Sequence, residues 1–191
     1  MRYSYWIVLA FILSITVSCE DPVYPKPRAF HRIDLANATY KQYETSCPFT
    51  FEYNHLAKLD YTRIPKEATC WFNLHYPQLK SRVHFSYHEI TRDSLMRVTE
   101  DARRMAMEHI PKAQDIREDL IIDTVANVYG VIYDFEGSTA TNMQFFITDS
   151  SNHFIRAAMY FEVAPNPDSI APVEAYIKED MYRFIETFSW K

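Results

Sequence analysis

The residues in this chain with chemical potential are three cysteines, seven histidines and a scatter of carboxylates. His84 and His88 are four apart. On a helix that spacing would put both imidazoles on one face and could bind zinc. On a strand the same two lie about 13 Å apart, beyond shared coordination. The flanking alternation Val83-His84-Phe85-Ser86-Tyr87-His88 favours the strand, with both rings on its solvent side. His75 and His153 fall near strand ends and have no partner in the sequence. No serine stands in a G-x-S-x-G elbow. Cys47 or Cys70 could serve as a nucleophile with a histidine, but a disulfide would disable either. Asp134, Glu136, Asp149 and Glu162 lie around strand ends, where a paired acid–base site could form, yet turn and cap roles account for most of them. The chain has two glycines, Gly130 and Gly137, where average usage would give about thirteen. Phosphate-cradling loops need clustered glycines, so Walker and dinucleotide-binding chemistry is excluded. The expectation is a protein that is not an enzyme, with no cofactor, metal or catalytic residue.

The thiol of Cys19 has a different prospect. Arg2 begins a leader whose residues Tyr5 to about Val17 carry no charge, and Thr16-Val17-Ser18 places two small residues close before Cys19. That order is a secretion signal, and its apolar run is short of the ~20 residues a membrane span needs. The site is similar to a bacterial lipobox, in which the cysteine accepts a diacylglyceryl group and becomes the first mature residue. Thr16 stands where such a motif usually has Leu, and the alternative is an ordinary leader with an incidental cysteine. Lipidation would put two or three acyl chains on Cys19, and two already hold a protein stably to a bilayer. With Cys19 acylated, Cys47 and Cys70 remain as an even pair. An oxidising envelope compartment favours a disulfide closing a loop of about 23 residues, and two buried free thiols are the competing state.

The elements that must position these groups come from a mature region of 173 residues, the 191 of the chain less the first 18. That length suits one domain with a substantial core. Net charge is −5, and loss of Arg2 with the leader makes it −6, so the domain lacks the basic footprint that nucleic acid requires. Three regions are expected: a signal peptide over 1–18, a lipidated cysteine and proline-stiffened tether over 19–29, and one globular domain over 30–191. Alternation predicts strands at Phe30–Leu35, Pro48–Tyr53, Cys70–Tyr76 and around Val83–Tyr87. An amphipathic helix begins near Thr91 or Asp93, presents Leu95, Val98, Ala102, Met105, Ala106 and His109, and stops at Pro111. Residues 112–125 read as mixed loop with a short strand or turn.

Three strands follow as a meander. Their faces are Tyr129-Val131-Tyr133-Phe135, Met143-Phe145-Ile147 and Ile155-Ala157-Met159-Phe161-Val163, with a turn over Asp134–Ser138. A last helix is capped by Ser169, takes Pro172 in its first turn and buries Val173, Tyr176, Ile177, Met181, Phe184, Ile185 and Phe188. Glu174 with Lys178 and Glu179 with Arg183 are pairs on its wet face. Tyr24, Tyr40, Tyr43 and Trp190 are open to two uses, in a protein interface or in packing the tether onto its own domain. The fold class is α+β, an antiparallel sheet covered by amphipathic helices, and its element order resembles the layered PsbP/Mog1-like fold.

Nine segments in order carry a further likeness. They are Cys19-Glu20-Asp21; Tyr24-Pro25-Lys26-Pro27-Arg28; Cys47-Pro48-Phe49-Thr50-Phe51-Glu52-Tyr53; Cys70-Trp71-Phe72-Asn73; Val128-Tyr129-Gly130-Val131-Ile132-Tyr133-Asp134; Gln144-Phe145-Phe146-Ile147-Thr148-Asp149-Ser150; His153-Phe154-Ile155-Arg156; Ala164-Pro165-Asn166-Pro167-Asp168-Ser169; and Trp190-Lys191. Through them the chain resembles GldD, the gliding-motility lipoprotein family of Bacteroidota. The resemblance implies a non-enzymatic, lipid-anchored component of the gliding and type IX secretion apparatus. Its partners would be other machinery lipoproteins or envelope proteins, and its place the cell envelope, facing the periplasm, with the choice of membrane open. Only Cys19 transfers as a functional residue. The alternatives are an envelope lipoprotein that binds a small ligand or polymer in an aromatic cleft, and a hydrolase with a hidden site.

Overall fold

The computed structural model describes residues 35–163 and 167–191. The expected leader and tether, Cys19, Tyr24 and nearly all of the strand expected at Phe30–Leu35 lie outside the described residues. Four short strands and a longer series build the domain in chain order: β1 Tyr40–Gln42, β2 Phe49–Thr50, β3 Glu52–Asn54, β4 Lys58–Asp60, β5 Phe72–Tyr76 and β6 Ser81–Glu89. Helix α1 (Arg92–Met107) leads to β7 Ala113–Asp123, β8 Val128–Gly137, β9 Thr141–Thr148 and β10 His153–Phe161, then to helix α2 (Pro167–Thr187) and β11 Ser189–Trp190.

Period-two alternation places one antiparallel sheet of seven strands at the centre, in the order β4-β5-β6-β10-β9-β8-β7. On one face, Phe72 and Leu74, Val83 and Phe85, Ile155 and Ala157, and Phe145 and Ile147 meet the α2 stripe of Val173, Ile177, Met181 and Phe184. Phe49, Phe51 and Tyr53 enter the same core from the N-terminal segment, and ring centroids of Phe51 and Phe184 stand 4.3 Å apart. The opposite face is covered in part by α1, whose Ala102 and Ala106 press on Tyr133, Phe135, Phe146 and Phe154. Strand β9 runs between both layers and is buried along its whole length. The result is the α+β sheet covered by amphipathic helices that the sequence predicts.

Several local details differ from the sequence reading. Phe49, Phe51 and Tyr53 do share a buried side, but the segment is cut in two: β2 pairs with β11 and β3 with β1. Residues 113–123 form an eleven-residue strand, not a loop, because β8 supplies the backbone partners along nearly all of it. Strand β8 continues through Asp134 to Gly137, so the turn follows Gly137. Helix α2 starts at Pro167, which puts Ser169 inside the helix and Pro172 in its second turn. Lys178 pairs with Glu174 at 2.5 Å as expected, but in a half-covered site where Asp134 joins it, also at 2.5 Å. Arg183 turns away from Glu179 and pairs with Glu52 of β3 at 2.6 Å. Helix α1 begins after Thr91, whose N–H donates to Ser94 Oγ at 2.9 Å, and it ends before the Pro111 turn. Tyr43 and Trp190 pack onto their own domain, the latter with its indole 4.6 Å from the Phe188 ring. Tyr40 also turns inward, donating to Asp180 at 2.9 Å.

Candidate functional site

Helix α1 covers only the β8–β9 side of its face, and the uncovered part over β5, β6 and β10 forms a cleft of about 670 Å³. Its floor is made of side chains that alternation turns away from the core: Asn73 of β5, Arg82, His84, Ser86 and His88 of β6, and Phe154, Arg156 and Tyr160 of β10. One wall is α1, with Val98, Asp101 and Met105; the other is the β4–β5 connection, Thr62 to Pro65, and Trp71. His84 and His88 are therefore strand histidines on the open side, as expected, but they face a cleft. His84 Nδ1 lies 2.7 Å from Asn73 Oδ1, and the His88 ring packs edge-on against Trp71, whose indole N–H donates to the Tyr87 carbonyl at 2.6 Å.

The charges in the cleft are unevenly matched. Arg82 is neutralised twice, by Asp60 and by Glu162. Burial pushes the Asp60 carboxyl up, but hydrogen bonds from Thr62 and Arg82 outweigh it and leave the group below the usual carboxylate range. Asp101 is engaged by Arg104 at 2.8 Å. Arg156 is different: its Nη2 donates to Gln144 Oε1, and among the described residues no carboxylate reaches it. Burial is the main force lowering the Arg156 guanidinium, and it lowers His84 and His88 from the ordinary imidazole value too, with the Arg82 charge adding to the effect at His84.

The carboxylates singled out by sequence do not converge. Asp134 is bound by Arg117 and Lys178, Glu162 by Arg82, and Asp149 Oδ1 accepts the N–H groups of Ser151, Asn152 and His153 in the β9–β10 turn. Burial pushes Asp149 up, but those three N–H donors bring it below the usual range, which is a turn role. Among the described residues no three of His, Cys, Asp and Glu gather as a metal site. Sequence reading missed Arg156, Asn73 and Trp71 as members of one site. The signal available was the run of polar, cationic side chains on the outer side of one strand, Arg82-His84-Ser86-His88.

Cys47 and Cys70 are joined in a disulfide, with Cα atoms 5.7 Å apart. It pins the far end of the connection that forms the cleft wall, and Trp71 follows at once. Cys70 holds φ at 61°, a left-handed conformation uncommon for a side chain. Closing a loop of 23 residues contributes about 3 kcal/mol in the chain-entropy picture. The Cys47→Ser/Cys70→Ser variant should lose that amount in urea denaturation, and a midpoint equal to wild type would show that the bond does not constrain the unfolded chain.

The far side of α1 offers a second surface. Strand β7 is the edge of the sheet, and its Leu120, at 74% exposure, and Ile122, at 67%, project from it beside an equally bare Val125 at 94%. Leu120 is opposite Val131 and Ile122 opposite Tyr129. Tyr129 and Val131, with Phe146, Leu95 and Met96, line a shallow groove of about 440 Å³ between α1 and the sheet.

The family described as gliding motility lipoprotein GldD matches residues 20–190, nearly all of the chain. The chain belongs to the GldD family. Membership links it to gliding motility and to the cell envelope, and agrees with the resemblance carried by its cysteine, tryptophan and proline segments. No curated protein matches the chain. Among solved structures, the solution structure of cyanobacterial PsbP (CyanoP) from Synechocystis superposes with a TM-score of 0.53 at 10% identity, covering 84% of this chain and 97% of that one. At that identity the likeness is one of fold. It agrees with the layered PsbP-like architecture expected from the element order. No helix among the described residues is long and apolar enough to cross a membrane.

Proposed function

We propose that this GldD-family protein is a lipid-anchored, non-enzymatic component of the gliding and type IX secretion machinery, held to an envelope membrane through Cys19 and acting by protein contact. The observation that carries the contact reading is the β7 edge. Soluble sheets blunt their edges with charge, and Asp115, Arg117, Glu118 and Asp119 do this for the first half of the strand. Leu120-Ile121-Ile122 abandons the device, and the bare Leu120 and Ile122 continue into the α1 groove. Contiguous apolar surface next to unpaired strand backbone suits an envelope protein of the same machinery. The dispersal of the carboxylates into ion pairs and turns supports a non-catalytic role.

A Leu120→Lys/Ile122→Lys variant changes only exposed side chains and should accumulate at wild-type level. Crosslinking in intact cells should lose its partner bands about tenfold or more, and surface spreading and secretion should fail together. Unchanged crosslinks with normal spreading and secretion would refute the contact reading. Anchoring is tested separately: Cys19→Ala should abolish lipid labelling and leave unprocessed or soluble protein, and persistent labelling would mean that another residue carries the lipid.

A further inference from the structure

We propose that the cleft over β5, β6 and β10 is a binding site for a small organic monoanion, a carboxylate attached to an apolar body, with Arg156 as its anchor. Desolvated guanidinium groups inside proteins are ordinarily matched by a carboxylate, because charge removed from water needs a counter-charge. Arg156 has none among the described residues; Glu108 acts on it only from beyond ion-pair distance. Among the described residues its acceptors are neutral, Gln144 Oε1 beneath the floor and the Tyr160 hydroxyl beside it, and the buried Gln144 Nε2 has no acceptor among those residues. Arg156 and Gln144 thus have donors in excess, and none of the acceptors is an anion. A carboxylate supplies two oxygens in the planar geometry that a guanidinium matches.

Charge selects a monoanion. The cleft and its immediate pairs hold four guanidiniums, Arg63, Arg82, Arg104 and Arg156, against three carboxylates, Asp60, Asp101 and Glu162. One positive charge is left over, and both histidines are held toward their neutral form by burial. A dianionic phosphate would overshoot that balance. The rest of the cavity fits an apolar body: Trp71, Ile64, Pro65, Val98 and Met105 surround the polar floor. A volume of about 670 Å³ is in the range of sites for small organic ligands. The disulfide beside Trp71 holds this wall in place without the ligand.

The test uses the full mature lipoprotein in phosphatidylcholine nanodiscs, titrated by calorimetry with 4-phenylbutyrate, its neutral amide and phenyl phosphate. The acid should bind about ten- to hundredfold more tightly than the amide, as expected for a charge-assisted pair to arginine, and more tightly than phenyl phosphate. Arg156→Gln should remove that advantage. Met105→Glu, on the partly exposed wall, should remove it as well by adding a carboxylate to the cleft, and it decides the question if Arg156→Gln fails to fold. Equal affinity for acid and amide, preference for phenyl phosphate, undiminished binding in Met105→Glu, or no binding of the acid up to about 10 mM would overturn the proposal. These readouts are independent of the β7 surface, so failure here leaves the contact function standing.

Discussion

Gly130→Ala should destabilise the domain by about 3 to 4 kcal/mol, a large effect for adding one methyl group. Gly130 lies in β8, opposite Ile121 of β7 and Ile147 of β9. A Cβ at this position would stand 1.9 Å from the Phe146 carbonyl oxygen and 3.0 Å from its carbon. Those are backbone atoms, so no rotamer change relieves the overlap. Relief requires moving β9, which is buried on both faces and held by β8 and β10. Gly137 makes the internal comparison. It has φ of +105° and meets Gln114 at 3.0 Å, partly through a side chain at the exposed end of β7, where the strand gives more easily. Gly137→Ala should therefore cost about 1 to 2 kcal/mol, mostly backbone strain. Urea denaturation of both variants orders them. A Gly130→Ala variant as stable as Gly137→Ala would mean that the β8–β9 approach is looser than described.

The two glycines show why parts of this molecule could be read from sequence and others could not. Their scarcity excluded phosphate loops at once, but that one is there to admit a carbonyl needed the register of β8 on β9. Where a segment's own alternation met a buried layer, as in Met143-Phe145-Ile147 or the α2 stripe, pattern and structure agree because burial is the cause of the pattern. Strand β7 breaks that link. As an edge strand it buries little, its Asp115 to Asp119 are set by solvent and its Leu120 and Ile122 are exposed, so the period carries no inside–outside signal. The cleft was hidden for a topological reason. Trp71 and Arg156 are 85 residues apart in the chain, and they share a wall and floor only because β10 crosses over to pair with β6, which pairs with β5. Alternation placed His84 and His88 on the outer face but could not say that α1 stops short of covering them.

Removing the Asp180 carboxylate should cost about 4 kcal/mol, through the loss of a buried acceptor shared by two elements. Asp180 sits on α2 at 2% exposure. Asn54 Nδ2 donates to both of its oxygens at 3.0 Å, and Tyr40 O–H donates at 2.9 Å. Asn54 Nδ2 also reaches Tyr176 Oη at 2.9 Å, and Tyr176 O–H donates to the Ala36 carbonyl at 3.1 Å. The group thus fastens the first described stretch, where the chain enters the domain from the proposed tether, onto the C-terminal helix. Asp180→Leu leaves the part-buried Tyr40 O–H without its acceptor and leaves buried Asn54 Nδ2 with Tyr176 Oη alone, whereas Asp180→Asn keeps one acceptor oxygen and should cost less. Burial drives the Asp180 carboxyl above the usual carboxylate range despite its donors. A raised folded-state value means that the native protein holds the proton more tightly than the unfolded chain. The associated stability is fully present below the ordinary value of 3.8 and is lost as pH rises through the raised one. The stability advantage of wild type over Asp180→Asn should therefore shrink as pH climbs from about 4 toward neutrality. Asp60 and Asp149 act in the opposite sense, but both proteins contain them, so they cancel in the difference. Paired urea titrations across that range measure it directly; a gap that widens with pH would show that hydrogen bonding, and not burial, governs Asp180. Because this network fastens the first described stretch onto α2, its loss should also release residues 36–42 to rapid amide exchange while the sheet stays protected, an outcome that separates a local anchor from a general core defect.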